Sequence, residues 1–240
     1  MPVLLVTACL LLVPHDASAE SRPPYDPTDR YETRQIEGWR VLVHKDFLAR
    51  EPALAGETLK LLGFQLYQIT RKVPPGPLAR LRKIAIWVEA AEPHHRCMAY
   101  HPSAEWLRDH GMNPDKARSV EIANARNFLQ WTLDQPWMVL HELAHGYHDQ
   151  FLGGYENPQL RAAYDRAMRA KRYEAVMRIC GKIDRAYAAT NPMEYFAEST
   201  EAFFGTNDFY PFVRSELRAH DPEMDGLLEK LWETASGKAK

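Results

Sequence analysis

Apolar and polar positions alternate through residues 31–37 and again through 39–44, on either side of Gly38, the period-two pattern of two strands joined by a tight turn. The period then changes. Over 53–71, Leu54, Leu59, Leu61, Leu62, Leu66 and Ile69 recur at helical spacing until the cluster Pro74-Pro75-Gly76-Pro77 ends the run. Residues 82–89 return to a β pattern, and 119–123 predict a further strand for which an edge position is open. Between these two strands, residues 91–116 read as a long loop rich in histidine and aromatics. The next helix is predicted over about 135–151, with Asp134 or Thr132 as its cap, Pro136 in its first turn and Gly153-Gly154 as its stop. The remainder reads as helices with one short β-like interruption around 173–188. Strands early and helices late make the fold class α+β, with a small N-terminal sheet and a helical C-terminal part.

The longest apolar run lies at the start of the chain, where residues 3–13 read VLLVTACLLLV and are followed by Ala17-Ser18-Ala19. The run is too short to span a bilayer and suits a signal-peptide core, and the small-residue pattern places cleavage after Ala19. Residues 1–19 are therefore expected to be a signal peptide, 20–240 a single domain with an extended arm over about 20–30, and the product secreted or periplasmic. Val6-Thr7-Ala8-Cys9 also resembles a lipoprotein cleavage box, which leaves lipidation of Cys9 as the alternative. No stable membrane insertion is expected after cleavage. The formal net charge of -2 and the lack of a basic run exclude a nucleic-acid partner, and the chain reads as a monomer. Without the leader, the cysteines are Cys97 and Cys180. An oxidising compartment permits a bridge between them, but their separation in sequence does not decide it, and two partly buried thiols are the plainer reading.

The chemistry is concentrated in Trp137-Met-Val-Leu-His141-Glu142-Leu-Ala-His145-Gly-Tyr-His148. Histidines at i and i+4 lie one turn apart on one helix face, so both imidazoles can reach a single Zn²⁺ at about 2.0–2.1 Å. Glu142 then sits beside the metal, where a carboxylate can act as general base on water and pass the proton to a leaving amine. The bland alternative is a pair of histidines satisfied in a polar core. A metzincin pattern fails, because position 151 is Phe and not His. His148, at i+7, is read as supporting the site from behind its ligands or as lying on the surface.

A third ligand is expected about fifty residues downstream, where Asn191 and Pro192 start a helix that Gly205 ends. Glu194 and Glu198, four apart, face one way, so one can bind zinc while the other accepts a ring N–H from a ligating histidine. Glu194 also has a plain role open to it, closing a capping box with Asn191. Glu201 is read as solvated surface charge.

These residues resemble the lethal-factor-like zinc metallopeptidases, a gluzincin family in which a His-Glu-x-x-His helix is followed by a tyrosine and then by a helix carrying Glu-x-Phe-Ala-Glu. The likeness covers mainly residues 119–205. It implies a zincin-like catalytic domain with one Zn²⁺ per chain, His141, His145 and Glu194 as its ligands, and Glu142 as general base. It further implies Tyr187, seven residues before Glu194, as the active-site tyrosine and Glu198 as the residue behind the ligands. A structural tyrosine is the alternative for Tyr187. The implied activity is hydrolysis of peptide bonds in a peptide or protein substrate by a zinc-activated water. A non-catalytic zinc-binding module and a hydrolase of non-peptide amides stand as alternatives. His94, His95 and His101 are a weaker cluster that could form a second metal site. The aromatics at 203–204 and 209–212 read as core.

Overall fold

The computed structural model describes residues 25–234, so the expected signal peptide, Cys9 and the start of the expected arm lie outside the described residues. Strands β1 (Tyr31–Ile36) and β2 (Trp39–His44) form the expected hairpin, and Glu37 and Gly38 at its tip both have positive φ, the turn that matches strand twist. Helices α1 (Lys45–Arg50), α2 (Pro52–Lys72) and α3 (Pro75–Leu81) cross over to β3 (Ile86–Val88), which runs parallel to β2. Next come β4 (Met98–His101), α4 (Ala104–Asp109), β5 (Ser119–Ile122) and α5 (Ala125–Trp131). The sheet order is β1-β2-β3-β5-β4, with β5 parallel to β3 and antiparallel to β4.

Two expectations are corrected here. Residues 119–122 form an interior strand, because β4 pairs along their outer side and takes the edge. The segment 91–116 is not one loop: it contains β4 and α4, the latter capped by Ser103, whose hydroxyl accepts from the Trp106 N–H at 3.2 Å. A strand as short as Met98-Ala-Tyr-His101 carries little pattern of its own and is formed by its pairing with β5.

Alternation along the strands decides which face is covered. Val41, Val43, Ile86, Val88, Val120 and Ile122 point to the helical side and join the main core, while Tyr31, Leu42, Ala85 and Trp87 form a smaller cluster on the opposite face. Against the first face lies α6 (Met138–Phe151), whose residues from Met138 to His148 are buried except Glu142. Its start differs from expectation. Trp137 is the N-cap residue and makes no side-chain cap, Pro136 precedes the helix, and the Thr132 hydroxyl donates instead to the Phe128 carbonyl at 2.6 Å at the end of α5.

After α7 (Pro158–Arg169), the short strands β6 (Val176–Met177) and β7 (Ile183–Asp184) form the expected interruption. Then α8 (Pro192–Phe204) packs along α6, followed by α9 (Arg214–His220) and α10 (Pro222–Leu231). The Asn191 side chain accepts from the N–H groups of Met193 and Glu194, both at 2.9 Å, and Pro192 takes a first-turn position where its missing N–H costs nothing. At the other end Gly205 is required, because a Cβ there would run into the Trp137 ring. That close approach joins the end of α8 to the start of α6. The arrangement is α+β, with a small five-stranded sheet and a predominantly helical second half. No helix among the described residues is long and apolar enough to cross a membrane.

Candidate metal centre

On α6, His141, His145 and His148 form a stripe at i, i+4 and i+7, and on α8, Glu194, Glu198 and Glu201 form another. The contacts run His145 to Glu194 and His141 to Glu194 and Glu201, so the helices cross these stripes in opposite directions. His141 Nε2, His145 Nε2 and Glu194 Oε2 converge on one point. The separations are 3.1 Å between the two nitrogens, 3.1 Å from His141 to the carboxylate and 3.3 Å from His145 to it. A tetrahedral zinc site with bonds of about 2.0–2.1 Å has ligand atoms roughly 3.3 Å apart, so the triangle has the right size.

The chemistry of the donor set fits a cation as well. His141 Nδ1 faces Glu201 Oε1 at 2.7 Å, which keeps a proton on Nδ1, so Nε2, turned toward another imidazole and a carboxylate, is the ring atom placed to bind a cation. A proton satisfies one pair of these three atoms, whereas a divalent cation satisfies all three. Burial opposes charge on the His141 ring, yet Glu194 and Glu201 overcome it and hold its pKa well above the usual histidine range. Burial likewise works to raise the Glu194 carboxyl, and the two imidazoles hold it below the usual carboxylate range. Positive charge is therefore favoured at this spot.

The capping-box alternative for Glu194 is answered by its geometry: its N–H is capped by Asn191 while its carboxylate turns to the histidines. Glu201, read as surface charge, is instead 3% exposed and bonded to His141. The antiparallel packing of α6 over α8 places the third glutamate of the stripe against the back of the ring. Glu198 lies 3.9 Å from His141 Nδ1 and accepts from Asn207 Nδ2 at 3.1 Å, so the carboxylate on the ring is Glu201 and not Glu198. Burial raises the carboxyls of both Glu198 and Glu201, and for Glu198 the charge of Glu201 adds to the effect. His148 is neither at the surface nor bonded to the site. It is fully buried, edge-on to Tyr155 and Phe196, with no hydrogen-bond partner on either ring nitrogen, and burial lowers its pKa to about 4.

The centre opens into a cleft of about 690 Å³. One wall is the edge strand β4. Cys97 O accepts from the Ala123 N–H and His101 O from the Arg118 N–H, so these residues face β5 while Met98 and Tyr100 present their backbone groups to the cleft. Glu142 lines the cleft, and its Oε2 accepts the Tyr100 N–H at 2.9 Å. Tyr187 also lines the cleft, its ring 28° from parallel with that of His141 at a centroid distance of 6.4 Å. It is 49% exposed and its hydroxyl bonds no other described residue, which does not suit a buried structural tyrosine. Burial and Glu194 raise its pKa, so the hydroxyl stays a donor.

The remaining candidates are not gathered. His101 Nε2 is engaged by Glu121 at 2.7 Å, His94 pairs with Glu92, and His95 makes tilted ring contacts with His101 and Trp106, so these histidines form no metal cluster among the described residues. Cys97 is buried with its Sγ 3.4 Å from Met138 Sδ, Cys180 is exposed, and both thiols are free. Phe203, Phe204 and Phe209 are core residues, Phe209 also reaching the cleft. Comparison of the chain with protein-family models, curated proteins and solved structures finds no match in any of the three.

Proposed function

We propose that the protein is an exported zinc metallopeptidase of the zincin type that hydrolyses peptide bonds in a peptide or protein substrate. The observation that carries this reading is the triangle of His141 Nε2, His145 Nε2 and Glu194 Oε2, with a further carboxylate, Glu142, lining the same cleft. His141, His145 and Glu194 hold one zinc ion. Bound there, zinc supplies a Lewis acid for the scissile carbonyl and lowers the pKa of water.

The chain's own groups do the rest. Glu142 takes the proton of the attacking water and delivers it to the leaving nitrogen. The Tyr187 hydroxyl, a donor without a competing partner, stabilises the charge that develops on the carbonyl oxygen. Glu201 fixes the tautomer and the plane of the His141 ring. The substrate lies extended along β4 and pairs with the outward N–H and C=O of Met98 and the C=O of Tyr100, in place of the pairing that an edge at 119–123 would have offered.

Incubating residues 20–240 with a peptide library and reading products by mass spectrometry tests this. Cleavage that stops on chelation, returns with Zn²⁺ and is absent in Glu142→Gln is the expected result. Cleavage unchanged in Glu142→Gln contradicts it.

A further inference from the structure

Resting on the peptidase reading, we infer that Tyr100 is a positioning residue that clamps the edge strand to the active-site helix and thereby aims the Glu142 carboxylate. Tyr100 is tied to α6 at two heights. Its backbone N–H donates to Glu142 Oε2 at 2.9 Å, and its hydroxyl donates to Asp149 Oδ2 at 2.6 Å, about two turns further along the same helix. Gln150 Nε2 donates to that hydroxyl at 3.0 Å and to the Arg118 carbonyl at 2.9 Å, so the chain entering β5 is held in the same network.

Between the two anchors the ring crosses α6 over Gly146. A Cβ at that position would lie 2.9 Å from Tyr100 Cε2 and 2.7 Å from Ile84 Cδ1, so the ring can take this path only because residue 146 lacks a side chain. The neighbouring residue pins the other face of the strand: His101 is 2% exposed and bonded to the fully buried Glu121. Strand β4 therefore has little freedom to slide along α6.

The clamp has two consequences for the site. Glu142 Oε2 is committed to the Tyr100 amide and Oε1 has no partner among the described residues, so one oxygen anchors the carboxylate and the other is left to accept a proton. The Tyr100 N–H is also withdrawn from substrate pairing. An extended peptide then has the Met98 N–H and C=O and the Tyr100 C=O to pair with, which sets its register against the centre.

The test compares Tyr100→Phe, Asp149→Leu and Asp149→Asn with the wild type. Losing the hydroxyl anchor in Tyr100→Phe should lower kcat roughly 10-fold, with KM within about 2-fold and zinc affinity unchanged. Asp149→Leu should do the same, the double variant should be no worse than either single one, and Asp149→Asn, which keeps an acceptor, should recover most of the rate. Hydrogen exchange at amide 100 reads the geometry without any turnover: its protection should fall at least roughly 10-fold in Glu142→Ala and in Tyr100→Phe, while the rest of β4 is unaffected. Unaltered exchange at amide 100 in Glu142→Ala, or an unaltered kcat in Tyr100→Phe, overturns the clamp. Parallel losses of thermal stability, zinc and protection throughout β4 overturn it in favour of plain packing. A wild type that cleaves nothing would sink the peptidase reading, and the exchange data would then decide the clamp alone.

Discussion

Glu201 Oε1 lies 2.7 Å from His141 Nδ1, on the side of the ring away from Glu194 Oε2 and His145 Nε2. Glu201→Ala should therefore weaken zinc binding about 10- to 100-fold, since the ring loses the partner that sets its tautomer and plane. Glu198→Ala, whose carboxylate bonds Asn207, should cost less. Titration against a competing chelator gives both values, and a larger loss in Glu198→Ala would reverse the assignment.

Tyr187 stands half-exposed beside the His141 ring with no hydroxyl partner among the described residues. Tyr187→Phe should lower kcat roughly 10²-fold while zinc content and melting temperature stay at wild-type values. A variant with normal kcat would remove the hydroxyl from the chemistry.

His148 is buried without hydrogen bonds and its pKa is lowered to about 4 from an ordinary 6.5. The unfolded chain then binds a proton that the folded one refuses, so stability is whole above pH 6.5 and declines as pH falls from there to about 4. Replacing the ring by His148→Leu should abolish that share of the decline, at most about 3 kcal/mol. Melting temperatures of both proteins at matched zinc should diverge in favour of the variant across this window. A constant difference would mean that His148 does not titrate there.

Gly146→Ala places a methyl group against Ile84 and Tyr100 at distances of 2.7 and 2.9 Å. Overpacking of this kind costs about 1–3 kcal/mol. Thermal or urea unfolding should register it, and a variant as stable as the wild type would show that the Tyr100 ring gives way freely.

The parts of this molecule that were legible in its sequence are those specified locally. The His141–His145 spacing on one helix, Glu194 behind its Asn191 cap, the hairpin about Gly38 and the helix over 53–71 depend on neighbours a few residues away. Glu201 was not legible, because i+7 from Glu194 is a solvent position or a buried one according to which helix covers it, and α6 comes from sixty residues earlier. The same holds for His148, the third residue of its own stripe. The short β4 escaped because its pairing partner, β5, follows α4 and a loop, and missing it put β5 at the edge. Tyr187 was placed only by its distance from Glu194 in a resemblance, and no property of the surrounding residues marks it as facing a cleft.

The central claim is that His141, His145 and Glu194 form one zinc site, and metal content tests it most directly. Elemental analysis of the purified protein after equilibration with Zn²⁺ should give one zinc per chain, and His141→Ala, His145→Ala and Glu194→Ala should each lose it while remaining folded by circular dichroism. A wild-type protein that takes up no zinc, or a Glu194→Ala variant that binds it with wild-type affinity, would contradict the account.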